Sequence, residues 1–121
     1  MKLEDIIRTE KELLDTGYKI ENNIIEDCDI KVISHFGNIV SLYLYCKNCA
    51  PVSGYNNTMN IGFLIKALVE IFDLEDEDGF RLSNLKNVPC RLVTDGNRVV
   101  GFGHFMMNKF VLSDDFAKLS E

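Results

Sequence analysis

Two stretches of the chain place apolar residues at the spacing of an α-helix. In residues 3–16 the spacing forms one modest apolar stripe, acidic residues open the first turn, and Gly17 follows as a stop signal. Residues 61–74 are apolar around most of the helix circumference, and Asn60 before them is a candidate helix cap. The pattern predicts an amphipathic N-terminal helix and a central apolar helix that is buried or faces another subunit.

Elsewhere apolar and polar residues alternate with a period of two. Residues 18–46 form two such runs around a turn at residues 36–38, which predicts an antiparallel hairpin. Residues 88–94 and 98–105 form a second pair around an Asp-Gly step, a strong hairpin turn signal because glycine tolerates positive φ. We therefore expect two hairpins.

The remaining segments connect these elements. Residues 47–60 predict an exposed loop with a short strand at 52–55, and residues 81–87 predict an irregular turn. An acidic run at residues 75–78 is expected to be solvated, and the apolar residues of the tail at 106–121 indicate that it packs on the body. The prediction is one α+β domain over residues 1–121, with an antiparallel sheet of two hairpins, the N-terminal helix and the central helix.

Charge and hydropathy limit the partners. The chain has 121 residues and a formal net charge of -6, which argues against general DNA or RNA binding because that affinity comes mostly from Lys and Arg. No apolar run reaches the length of a membrane span, so we expect a cytoplasmic protein that does not bind membranes. The apolar central helix in so short a chain predicts a homo-oligomer, at least a dimer.

Four cysteines raise the question of metal or redox chemistry. Cys46 and Cys49 form a CxxC motif, whereas Cys28 and Cys90 stand alone in predicted strands. A zinc site usually needs a second close pair, and a thioredoxin-like site needs the motif at a helix N-terminus, but this one ends a strand. We expect four free thiols that pack as small apolar groups, with no metal and no cofactor.

No complete set of catalytic residues is present, and we expect no enzymatic activity. His35 and His104 lie beside phenylalanines without an acidic neighbour, which favours a space-filling role over that of a general base. The Gly101-Phe102-Gly103 run resembles a phosphate-binding loop but lacks a third glycine and a following helix. It favours a bulge or a close backbone approach in an edge strand.

A polar cluster with interleaved aromatics fills the C-terminal half. Arginine binds phosphate bidentately, asparagine reads adenine-like edges, and an aromatic face stacks on a base. The cluster could hold a nucleotide, but the same arginines could equally pair with the 19 acidic side chains while the rings fill the core. Its members are Arg81, Asn84, Asn87, Arg91 and Arg98, with Phe80, Phe102 and Phe105.

The C-terminal half resembles the phage Thoeris anti-defence sponges. The resemblance is one of pattern over residues 18–116, and it lies in the central helix and in residues 78–79, 82–87, 89–93, 101–105 and 108–110. It implies an oligomeric α+β protein of the infected bacterial cytoplasm that sequesters a cyclic ADP-ribose isomer, or a cyclic oligonucleotide, without cleaving it. It implies a ligand role for Arg91, and Lys109 stands where the family has further basic ligands.

Two hypotheses from different classes follow. The first is a non-enzymatic sponge that depletes a cyclic nucleotide signal by mass action. The alternative is an acidic inhibitor that covers a basic surface of a host defence enzyme with the acidic run at residues 75–78 and other carboxylates.

Overall fold

The computed structural model of the chain describes residues 1–33, 39–49, 52–53, 58–74 and 77–119. In this part of the chain six strands form one antiparallel sheet in the order β3-β2-β1-β4-β5-β6. The strands are β1 (Lys19–Ile33), β2 (Ile39–Cys46), β3 (Val52–Ser53), β4 (Pro89–Thr94), β5 (Val99–His104) and β6 (Phe110–Leu112). The helices are α1 (Glu10–Asp15) and α2 (Thr58–Phe72), with 3₁₀ turns at Leu3–Ile6, Leu82–Leu85 and Ser113–Lys118.

The predicted α+β class and antiparallel sheet are confirmed, and the pairing within the sheet depends on β1. Residues 19–24 of β1 pair with β4, whereas residues 25–33 pair with β2. A register shift between Ile25 and Asp27 marks the change of partner. A single long strand therefore belongs to the first hairpin and also pairs with β4 of the second, which joins the two hairpins into one sheet.

The prediction of a continuous helix over residues 3–16 is wrong. The segment is a 3₁₀ turn followed by the short helix α1, because Arg8 between them forms a β-bridge with Phe110. The backbone N–H of Arg8 donates to the Phe110 carbonyl at 2.7 Å, and the Phe110 N–H donates to the Arg8 carbonyl at 3.0 Å. Thr9 then caps α1 by accepting the N–H of Glu12. Pairing with the sheet replaces one turn of helix.

The two helices cover opposite faces of the sheet. Leu92 of β4 lies in the large core formed around α2, whereas the next residue, Val93, lies in a smaller core with Leu13 of α1. Successive side chains of a strand point to opposite faces, so each helix has its own layer. Leu68 and Ile71 of α2 are fully buried, which confirms that this helix is a central element.

Two glycines of β5 allow the close approach of β6. An ideal Cβ on Gly101 would lie 2.3 Å from the Val111 carbonyl oxygen, and one on Gly103 would lie 2.2 Å from Cδ1 of Phe110. The predicted close backbone approach is therefore confirmed. The predicted edge position is wrong, since β5 lies between β4 and β6.

The boundaries of other helices and strands differ by a few residues from those that the sequence pattern predicts. Helix α2 begins at Thr58, so Asn60 lies within the helix and does not cap it. The second hairpin, the turn before it and the packed tail are confirmed, and Gly96 has a φ of +97° in the hairpin turn. The predicted turn at residues 36–38, His35 and the first half of the acidic run lie outside the described residues. Within the described chain, neither α-helix is long and apolar enough to cross a bilayer.

Candidate functional site

A surface groove of about 640 Å³ lies where β1, β4 and the turn after β2 meet, and we call it the β1–β4 groove. Strand β1 lines it with Ile24 and its neighbours, β4 contributes Pro89, and the loop after β5 contributes Phe105. The chain reverses after β2 because Asn48 adopts a left-handed φ of +58°, which brings residues 47–49 to the rim. The lining residues are Glu21, Asn22, Asn23, Ile24, Lys47, Asn48, Cys49, Pro89 and Phe105.

The groove combines exposed apolar surface with free polar groups. Phe105 and Ile24 are 40% and 43% exposed, so the groove presents two large apolar side chains to solvent. The side chains of Asn22 and Asn48 and the ammonium group of Lys47 have no hydrogen-bond or ionic partner among the described residues. These groups are therefore available to a ligand without breaking a bond within the described chain.

The Asn23 side chain, in contrast, is hydrogen-bonded within the protein and holds the rim of the groove in place. Its Oδ1 accepts the backbone N–H of Lys47 at 3.0 Å, and its Nδ2 donates to the Lys47 carbonyl at 3.1 Å. The Lys47 N–H also donates to the Ile24 carbonyl at 3.2 Å. The turn that carries Lys47 is thus attached to β1 by both a side chain and the backbone.

Arg91 lies beside the groove but points into the protein. Its Nε donates to the His104 carbonyl and its Nη2 to the Met107 carbonyl, each at 2.9 Å. The guanidinium lies 4.5 Å from the ring centroid of Phe110, the ring that fills the space above Gly103, and Nη1 lies 3.5 Å from a Glu10 carboxylate oxygen. With a side chain 13% exposed, Arg91 anchors the loop that carries Phe105.

His104 anchors the same loop from its other end. Its Nδ1 accepts the backbone N–H groups of Met106 and Met107, each at 2.9 Å. The space-filling role expected for His104 is therefore incomplete, because the ring also organises the turn. Arg91 thus holds the loop between β5 and β6 by donating to the backbone carbonyl groups of His104 and Met107, and His104 holds it by accepting backbone N–H groups of the loop.

The aromatic residues of the predicted cluster separate into three environments. Phe102 is buried in the main core and stacks on Phe72 with centroids 5.9 Å apart, so it is closed to a ligand. Phe80 is partly buried against the same core. Phe105 alone of the three lines the groove.

The remaining predicted site residues lie away from the groove. Arg81 is exposed and accepts the Asn84 N–H at its carbonyl, while Asn87 has a φ of +66° and donates its N–H to the Ile25 carbonyl. Lys109 lies 3.6 Å from the Glu70 carboxylate of α2. The structure therefore does not gather the polar residues of 81–98 into one pocket.

Arg98 lines a second cleft, of about 400 Å³, on the side of α1. Its basic residues are matched by carboxylates: Arg8 and Lys118 both bind Asp115, at 2.9 and 2.7 Å, and Arg98 lies 3.7 Å from Asp95. The Asp115 side chain is only 4% exposed, so two cations neutralise it inside the protein. An anionic ligand would compete with these pairs, which makes this cleft a poorer candidate.

The cysteines are closer together than their spacing suggested. The Cys46 thiol lies beside those of Cys49 and Cys90, because β2 and β4 flank β1 on its two sides near residues 23–25. Cys90 is therefore not isolated. Burial, with Asp27 and Asp29 nearby, raises the pKa of the Cys28 thiol to about 12. Within the described residues no group of three His, Cys, Asp or Glu side chains could hold a metal ion.

Most of the residues that line the groove are absent from the sequence-predicted site. The sequence pattern places Asn22, Asn23 and Lys47 only in a strand and a loop, and Phe105 is the one groove residue among the predicted site residues. Two adjacent asparagines in an alternating strand were the available signal, since asparagine is depleted in strands. Comparisons with protein-family models, curated proteins and solved structures found no match for this chain.

Proposed function

We propose that this chain is a non-enzymatic binding protein that sequesters a cyclic nucleotide signal, and that the ligand binds in the β1–β4 groove. One observation carries the proposal: an exposed phenyl ring, Phe105, stands in a groove of about 640 Å³ beside the carboxamides of Asn22 and Asn48, which have no partner among the described residues. Small-molecule sites commonly have volumes of roughly 300–1,000 Å³ and combine apolar walls with a few polar groups. The groove has both properties.

Each part of a nucleotide has a counterpart in the groove. A base would stack on Phe105 against the apolar surface of Ile24, and the amides of Asn22 and Asn48 would bond to its polar edge. Lys47 would take a phosphate as a point charge. Glu21 on the same wall repels additional negative charge, so stacking and amide contacts would supply most of the affinity.

The role of Arg91 changes in this proposal. The resemblance to the anti-defence sponges implied that Arg91 binds the ligand, but its donors are directed at two backbone carbonyls. We assign it to positioning the Phe105 loop. Arg81, Arg98 and Lys109 have no place in the proposed site, because they lie on other parts of the surface or in other pairs.

Calorimetry against cyclic ADP-ribose isomers and cyclic di- and trinucleotides tests the proposal. Phe105→Ala should weaken binding about ten- to a hundredfold, since one base–aromatic stack contributes roughly 1–3 kcal/mol. Met106→Ala is the matched control, because Met106 is on the same loop, is 82% exposed and does not line the groove. Ligand recovered intact after heat denaturation would support sequestration.

Two results would overturn this function. If none of these nucleotides binds, or if the recovered ligand is hydrolysed, the protein is not a nucleotide sponge. Equal losses from Phe105→Ala and Met106→Ala would place the ligand elsewhere on the surface.

We also propose that the protein self-associates, but through exposed side chains rather than through α2. The apolar residues of α2 whose side chains are described are mostly covered within one chain, so they no longer require a partner. The exposed apolar side chains of Ile30 and Met107, which lie outside the groove, supply the motive. Sedimentation at micromolar concentration should give at least a dimer, and a monomer mass would refute it.

The acidic inhibitor stays as the second candidate because of a cluster on β1. Glu26, Asp27 and Asp29 are all exposed and form a negative ridge suited to a basic protein surface. Replacing the three by their amides should abolish anti-defence activity in cells if the ridge binds a host enzyme. If Phe105→Ala abolishes the activity and the amide variant retains it, the nucleotide proposal is favoured.

A further inference from the structure

Three thiols, those of Cys46, Cys49 and Cys90, lie close together beside the β1–β4 groove, and the proposed nucleotide contacts do not use them. Cys46 lies between Cys49 and Cys90, and both Cys46 and Cys90 are buried in the main core. Cys49 packs at the edge of that core and lines the groove. Of the three thiols, Cys49 is therefore the one that a molecule in the groove can reach.

The backbone holds Cys46 and Cys49 together. Cys46 ends β2 opposite Ile25, and the Lys47 N–H is bonded to the carbonyl of Ile24, so the chain leaves the sheet at a fixed point. The left-handed conformation of Asn48 then turns it back. Cys46 and Cys49 thus face each other across one tight turn, a separation from which a disulfide needs only a small backbone adjustment.

We propose that Cys49 and Cys46 form a thiol–disulfide exchange site that accepts a small disulfide from the groove. The Cys49 thiolate attacks one sulfur of glutathione disulfide, which forms a mixed disulfide at Cys49 and releases one glutathione, which takes up a proton. The Cys46 thiol then loses its proton, its sulfur attacks Cys49 Sγ, and the second glutathione leaves. Two protein thiols are oxidised by two electrons, and one glutathione disulfide is reduced to two glutathione thiols.

The surroundings of the thiols set the rate of this exchange. Burial raises the pKa of Cys49, and contact with Cys90 together with burial raises that of Cys46, so few molecules carry a thiolate near neutrality. Below the thiol pKa the thiolate fraction grows about tenfold per pH unit. The reaction should be slow at about pH 7 and many times faster at about pH 9. This differs from a thioredoxin-like site, where a helix N-terminus lowers the thiol pKa.

The test is to incubate the folded protein with glutathione disulfide, quench with acid and locate the products by mass spectrometry. Wild type should lose two thiols, carry no glutathione adduct and yield a Cys46–Cys49 cross-link. Cys46→Ser should stop at the mixed disulfide on Cys49, and Cys49→Ser should not react. Cys28→Ser is the matched control, because Cys28 is buried in the same core and should leave the products unchanged.

The same reaction in urea, with all thiols exposed, is the reference for reactivity without the fold. An adduct on Cys28 in the folded protein, or a Cys46–Cys90 cross-link, would overturn the assignment. No thiol loss from the folded wild type, when the sample in urea reacts, would also overturn it. These results need only the wild-type protein, so they test the proposal even if a serine variant does not fold.

Discussion

Replacing Arg91 by alanine should lower the free energy of unfolding by about 2–4 kcal/mol. The change removes two hydrogen bonds of 2.9 Å from a charged group: the part-buried bond to the His104 carbonyl contributes roughly 1.5–3 kcal/mol, and the solvent-exposed bond to the Met107 carbonyl contributes less. It also removes the contact with the Phe110 ring, worth about 0.5–2 kcal/mol. The Glu10 pair adds little, because that carboxylate is 47% exposed. These contributions overlap, so the total stays below their sum.

Urea unfolding followed by circular dichroism measures this loss, and Arg98→Ala is the matched control. Arg98 is 76% exposed and lies on the adjacent hairpin turn, so its removal should cost less than about 0.5 kcal/mol. Arg91→Lys should lie between wild type and Arg91→Ala, because lysine keeps the charge but cannot bridge both carbonyls. If Arg91→Ala were as stable as Arg98→Ala, Arg91 would not be a structural anchor. Its assignment as a ligand residue would then be restored.

Three further outcomes follow from the fold. Gly103→Ala should destabilise the fold by about 1–3 kcal/mol because the new Cβ would overlap the Phe110 ring of β6, whereas Gly62→Ala, at an exposed helical site with open space, should stabilise it by about 0.5–1 kcal/mol. Urea unfolding compares the two variants, and equal effects would contradict the packing of β5 on β6. Leu68→Ala in the core should cost about 2–5 kcal/mol, and Leu14→Ala, 50% exposed, much less; similar losses would argue against the burial of α2. Backbone N–H groups of the hairpin turn hold the pKa of Asp95 below its usual value, so the stability that Asp95 adds is present above about pH 4 and is lost as the pH falls through the lower folded-state pKa. Asp95→Ala should therefore show a smaller drop in melting temperature over that pH range than wild type. An acid profile identical to that of wild type would refute this.

The hairpins could be predicted because strand alternation and turn chemistry are local properties. The Asp95-Gly96 turn needs one residue at positive φ and one side-chain oxygen that accepts two backbone N–H groups, and both requirements can be read from adjacent residues of the sequence. The break in the first helix could not be predicted in this way. It depends on the pairing of Arg8 with Phe110, a residue near the other end of the chain, and the apolar spacing around Arg8 is still helical.

The candidate site was harder to predict because its parts come from three separate segments. Asn22, Lys47 and Phe105 meet only when β4 pairs with β1 and the turn after β2 folds onto β1. Residues that are close in number, such as Arg91 and Arg98, make separate contacts in the fold, so closeness in sequence does not predict a shared site. Cys90 shows the same limit, since its neighbour Cys46 lies across β1.

The shared strand β1 has a consequence for the order in which the protein forms during synthesis. Its second half can pair with β2 soon after both have left the ribosome, but its first half waits for β4, and Ile20 meets Val93 only when most of the chain has been made. Until then α2 has no complete sheet to cover its apolar face, and distant pairings of this kind form slowly. A nascent chain halted before β4 would expose that face together with an unpaired length of β1, which is the combination that chaperones bind and that aggregates most readily.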